Sequence, residues 1–120
     1  MPGTESRKPM TDPAGQPALT AALNRLWVQF LPEMEERVAI LESAGAALAA
    51  HQLSIEQHEA AHAAAHKLAG VLGTFGLAEG TILAREAENL CSAEPGPGSA
   101  AAARLTQIAA QLRAIVESRK

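Results

Sequence analysis

The sequence predicts an all-α protein, an antiparallel up-down four-helix bundle with an additional short helix at its N-terminal side. Three observations predict it. Aromatic residues are 2% of the 120 residues, Tyr is absent and Ala is the commonest residue, so a sheet would lack its β-branched and aromatic cross-strand pairs. Apolar residues recur at three- and four-residue spacing in successive runs. Pro and Gly clusters join those runs by short connections, which makes consecutive helices antiparallel neighbours.

Residues 1–16 hold Pro and Gly but no hydrophobic period, and the expectation is a flexible tail followed by a helical domain over 17–120. Leu19, Leu23, Leu26, Trp27 and Phe30 form the first amphipathic run, which Pro32 is expected to interrupt. Pro32 suits a first helical position, and Glu33, Glu35 and Glu36 suit the positive end of a helix dipole there. That second helix places Met34, Val38, Leu41 and Leu48 inward. Ser54 with Gln57 makes a capping box for a third helix, whose apolar side carries Ile55, Ala61, Ala65, Leu68 and Leu72 and which ends within Gly73-Thr74-Phe75-Gly76. A fourth helix runs from about Leu77 to Ser92 on Leu83, Ala87 and Leu90. The loop Pro95-Gly96-Pro97-Gly98 stops it, and Ser99 can cap a fifth helix with Leu105, Ile108, Leu112 and Ile115 inward.

Composition narrows the function before any motif is considered. Hydrophobic residues at 48%, charged residues at 19% and a mean hydropathy of +0.01 describe a chain that buries one core. Ten Lys and Arg against thirteen Asp and Glu give a net charge of −3, which argues against nucleic acid as a partner, as does the lack of stacking aromatics. No apolar run is long enough to cross a bilayer, so no membrane partner is expected. Cys91 stands alone and cannot form an internal disulfide; without a signal-peptide pattern, the expected compartment is the cytoplasm. The expected state is a monomer.

Chemistry concentrates on the third helix, where His58, His62 and His66 recur every four residues along one face. His58-Glu59-Ala60-Ala61-His62 matches the zinc-protease pattern H-E-x-x-H, but nothing in the sequence reads as the strand edge such proteases offer a substrate. Turning about 100° per residue from Ala61, Ala65, Leu68 and Leu72, the helix puts His58 nearest the core, His62 at its border and His66 in solvent. The face of His66 is otherwise nearly bare: Ala63, Ala69, Gly70 and Gly73, with Glu59 and His62 one to two turns earlier. Glycine inside a helix costs up to about 1 kcal/mol relative to alanine, so Gly70 and Gly73 call for a reason: close approach of a partner backbone, or a helix that ends at Gly73 with Gly70 relieving crowding against a neighbour.

The segment Ala65-His66-Lys67-Leu68-Ala69-Gly70-Val71-Leu72-Gly73-Thr74-Phe75-Gly76-Leu77 resembles the phosphorylation-site segment of histidine-containing phosphotransfer (HPt) domains. The order of helices and loops follows the same family from about Pro17 to Arg119. The resemblance implies that His66 accepts a phosphoryl group, that the fold is the antiparallel four-helix bundle, and that the protein carries phosphate without being an enzyme. Many family members place a lysine three residues after the histidine; here that position is Ala69, and Lys67 is the basic residue expected to assist the phosphate.

The implied partners are response-regulator receiver domains, including the receiver domain of a hybrid histidine kinase, which supply the aspartate and the Mg²⁺. The protein then needs no cofactor of its own and no metal, and the chain has no G-x-x-x-x-G-K-[ST] run for ATP. A neutral imidazole, favoured near pH 7 by an ordinary pKa of about 6.5, keeps a free lone pair without a dedicated base. Glu59, His62, Ala63, Ala69, Gly70 and Gly73 are the expected docking residues. Two other readings stay open: a helical docking or inhibitor module that binds receiver or kinase domains without phosphotransfer, and a metal-binding bundle using His58, His62 and His66.

Overall fold

The computed structural model describes residues 15–92 and 99–119. They form four helices, α1 Gly15–Ala49, α2 Ile55–Thr74, α3 Ala78–Ser92 and α4 Ser99–Arg119, with no strand among the described residues. The chain divides into two compact units, Met1–Phe30 and Leu31–Lys120. The tail expected over 1–16 falls almost wholly outside the described residues, as does the loop Pro95-Gly96-Pro97-Gly98.

The separate short N-terminal helix is not formed: α1 runs through Pro32 without a break. Proline lacks the N–H that would bond the carbonyl four residues back, a cost of about 3 kcal/mol inside a helix. Pro32 is exposed, so water can satisfy that carbonyl. Met34, Val38 and Leu41 follow at helical spacing and are fully buried, and burying each contributes about 1.5–3 kcal/mol. Packing therefore outweighs the proline. Glu33, Glu35 and Glu36 stand mid-helix instead of at a helix start, and Glu33 accepts a 3.3 Å hydrogen bond from Arg37 one turn on.

Within Leu31–Lys120 the up-down order can be followed through contacts between helices. Glu42 of α1 meets Arg113 of α4, and Gly45 meets Thr106, so α1 and α4 run antiparallel. His66 and Ala69 of α2 meet Glu88 and Thr81 of α3, and Glu86 and Gly80 of α3 meet Arg104 and Ile115 of α4, with the same antiparallel sense. The core is aliphatic: Leu68 and Leu72 of α2, Leu83 of α3, and Leu105, Ile108, Leu112 and Val116 of α4 are buried. Five apolar positions stand out against expectation. Ile55 is 78% exposed because it opens α2 before the core begins, Leu19 and Leu26 are exposed, and Val116 is buried where Ile115 was the expected core residue but lies half-buried.

Both ends of α2 are fixed by local chemistry. Ser54 Oγ accepts from the Gln57 backbone N–H at 3.0 Å while Gln57 Oε1 accepts from the Ser54 N–H at 2.9 Å, the reciprocal box that satisfies two free donors. At the other end Leu77 N–H donates to the Leu72 carbonyl and Gly76 N–H to that of Gly73, with Gly76 at φ +72. This is a Schellman cap, and the left-handed conformation is why glycine stands there. The tight turn sends α3 straight back along α2.

Candidate phosphotransfer site

His66 projects from the middle of α2, two turns before the Schellman cap, with its side chain 69% exposed. Its Nδ1 lies 2.8 Å from Glu88 Oε2 of α3. A carboxylate only accepts hydrogen bonds, so Nδ1 carries the proton of the neutral ring and Nε2 keeps the lone pair. The carboxylate thereby selects the tautomer and holds the ring's orientation. His62 Nε2 is 3.9 Å from the same Glu88 oxygen, so Glu88 sits between the two histidines, itself 21% exposed.

Around this ring the face of α2 is bare. Glu59, Ala63, Lys67, Gly70 and Gly73 are exposed and His62 is intermediate. A Cβ built on Gly70 would meet nothing within 4 Å, and one on Gly73 would only touch Thr81 Oγ1 at 3.4 Å. Crowding inside the molecule therefore does not require glycine at Gly70. Ala69 is the exception among the expected docking residues: it is 2% exposed, lying under α3 where its carbonyl accepts from Thr81 Oγ1 at 3.3 Å, and it cannot be touched by a partner. The rotation that sets Ala69 near His66 on an isolated helix does not include the neighbour that covers it.

His58 stands apart from His62 and His66. His58 is half-buried on the core side, with its Nε2 buried and without a hydrogen-bond partner. Among the described residues no group of three His, Cys, Asp or Glu is arranged to hold a metal ion. Cys91 is buried on α3, and that burial pushes its thiol above the ordinary range, away from the reactive thiolate. Lys67 makes no ion pair among the described residues and stands one step around the helix from His66.

An exposed imidazole, oriented through one nitrogen and open at the other on a helix face stripped of side chains, is suited to meeting a reactive group carried by another protein. The model of the Hpt domain family matches residues 25–118. The chain belongs to that family. A curated relative, Protein RcaC of Microchaete diplosiphon, is 36% identical over 87 residues, which cover 71% of this chain and 13% of that protein. The chain thus spans a small part of that relative's length. No solved structure matches it significantly. The family is one of phosphorelay in two-component signalling. No helix among the described residues is long and apolar enough to cross a membrane.

Sequence reasoning misses Glu88, the residue that orients the imidazole of this Hpt domain. No local pattern marks it, since it is one of several acids on α3. A signal does exist: reflecting α2 about the tight turn at Gly76 and Leu77 brings His66 level with Ala87 and Glu88, and only Glu88 of these two can accept a hydrogen bond from a side chain.

Proposed function

We propose that His66 is the phospho-accepting residue, taking a phosphoryl group from the aspartyl phosphate of one receiver domain and passing it to the aspartate of another. The observation that carries this reading is the Nδ1 bond to Glu88, which leaves Nε2 as a free nucleophile at the centre of a bare, exposed face. In the forward step the Nε2 lone pair forms the N–P bond while the P–O bond to the aspartate breaks, and the carboxylate leaves with its electron pair. The imidazole becomes cationic, and Glu88 at Nδ1 neutralises it. The reverse step returns the pair to Nε2.

This chemistry needs positioning and charge neutralisation more than covalent help, and the receiver brings the aspartate and Mg²⁺. Glu59, His62, Ala63, Gly70 and Gly73 form the docking face, and Lys67 lies beside the incoming phosphate. A donor receiver on a hybrid histidine kinase and an acceptor receiver on a response regulator fit the same face in turn. The cytoplasm, where Cys91 stays reduced, is the compartment this role requires, and a monomer leaves the face free.

Incubation with a phosphorylated receiver domain, followed by an acid-lability assay, tests the reading. Wild type acquires acid-labile phosphate. His66→Gln acquires none, with a thermal midpoint nearly unchanged, because an exposed residue away from the core contributes within about 0.5 kcal/mol. Phosphate that survives acid, or acceptance by His66→Gln, overturns it.

A further inference from the structure

Phosphorylation of His66 would put about −1.5 to −2 charges at Nε2 while the Glu88 carboxylate already occupies Nδ1. The cationic ring offsets the Glu88 carboxylate, so the phosphoryl oxygens are left to find a cation of their own close by. On α2 itself the position facing α3, Ala69, is buried and carries no charge, which leaves the exposed Lys67 as the helix's own cation next to His66.

The seam between α2 and α3 supplies a second candidate. Thr81 Oγ1 donates to the Ala69 carbonyl at 3.3 Å, and Glu88 meets His66 at 2.8 Å. Arg85 lies between them on α3, four residues after Thr81 and three before Glu88, so the helical period sets it along the same edge. It is exposed, in the stretch of α3 between the residues that meet Ala69 and His66. From Leu31 onward the other described arginines are engaged: Arg37 with Glu33, Arg104 with Glu86, Arg113 with Glu42, and Arg119 over the Phe75 ring. Arg85 alone among them makes no ion pair or ring contact.

We propose that Arg85 supplies the guanidinium that holds the phosphoryl oxygens on His66, reaching from α3 along the edge that carries Thr81 and Glu88. A planar fork of donors matches two phosphoryl oxygens at once, which a lysine ammonium cannot do. The inference rests on His66 as the phosphate acceptor.

Phosphoramidate separates contact with the phosphoryl group from docking of a protein. Its P–N bond breaks and ammonia leaves as the Nε2–P bond forms, with no receiver present. Full-length wild type, Arg85→Ala, Arg85→Lys and His66→Gln are compared for rate of labelling, lifetime of the phosphohistidine once donor is removed, and thermal midpoint. The expected result is labelling about tenfold slower in Arg85→Ala, the worth of one charge-assisted contact, with Arg85→Lys between it and wild type and all midpoints alike. Wild-type labelling and lifetime in Arg85→Ala overturn the inference while leaving His66 as the acceptor. Slowing seen only with a phosphorylated receiver overturns it too, by making Arg85 a docking residue. Equal labelling of wild type and His66→Gln, or labelling of neither, removes the reading on which it rests.

Discussion

Gly45 and Gly70 are both interior helix residues, and both forgo the roughly 1 kcal/mol that alanine would add. A Cβ on Gly45 would stand 2.7 Å from Thr106 Oγ1 and 3.3 Å from the Thr106 backbone nitrogen, because α1 and α4 approach closely there. On Gly70 it would meet nothing within 4 Å. The first glycine is explained by the molecule and the second is not. The same contrast separates the acids nearby: Glu42 accepts from Arg113 at 2.8 and 3.1 Å and ties α1 to α4, whereas Glu88 accepts from His66 and leaves the outer nitrogen free. One seam is closed on itself, and the other leaves an open face beside His66.

The largest effect that could break this contrast is on transfer at Gly70. Gly70→Leu should fold normally and slow receiver-to-histidine transfer on the order of 100-fold, since a displacement near 1 Å at a reacting centre costs that much. Gly70→Ala should raise stability by up to about 1 kcal/mol and still slow transfer, so stability and activity move in opposite directions. Thermal midpoint and transfer rate are measured together on each variant. Full-speed transfer in folded Gly70→Leu would show that the bare face is not where the partner sits.

Gly45→Ala should show the opposite pairing. The threonine hydroxyl can rotate away, but the Thr106 backbone cannot, so the helices must separate at a cost of about 1–3 kcal/mol. For a domain of this size each kcal/mol lowers the midpoint by roughly 4–8 °C. Transfer at a temperature where the variant is folded should be unchanged. A stabilised Gly45→Ala would mean that the seam has slack and that the two glycines differ less than their surroundings indicate.

What could be read from the sequence follows from which interactions are local. The Ser54–Gln57 box, the cap at Gly76, and the buried stripe of Ala61, Ala65, Leu68 and Leu72 all depend on residues within a few positions of one another, and each was legible. The exposure of His66 followed from the same rotation. Pro32 misled because its cost depends on whether water reaches one carbonyl and on how much Met34, Val38 and Leu41 bury, neither of which is local. Ala69 misled for a related reason, since only the approach of α3 at Thr81 hides it. Glu88 and Arg85 come to matter through the register of one helix against another, which a single helical wheel does not contain.

The smallest effect belongs to the closed seam and comes with pH. Hydrogen bonds from Arg113 hold the Glu42 carboxyl below its ordinary 4.5, and Arg104 does the same for Glu86. A carboxyl whose folded value is depressed stabilises the fold above its unfolded value, and the contribution is lost as pH falls through the folded one. The loss therefore begins near pH 4.5 and grows below it. The carboxylates raise the already strongly basic arginines further, so their share is lost only in strong alkali. Solvent reaches both partners of the Glu42–Arg113 pair, which limits it to less than about 1 kcal/mol. Glu42→Gln should accordingly lower the unfolding free energy by less than that amount at pH 7, and the difference from wild type should shrink below pH 4.5 as the native carboxyl takes up its proton. Transfer at pH 7 should not change, since Glu42 belongs to the α1–α4 seam and His66 to the other. A difference that persists undiminished into acid would mean that Glu42 contributes through packing of its side chain rather than through its charge.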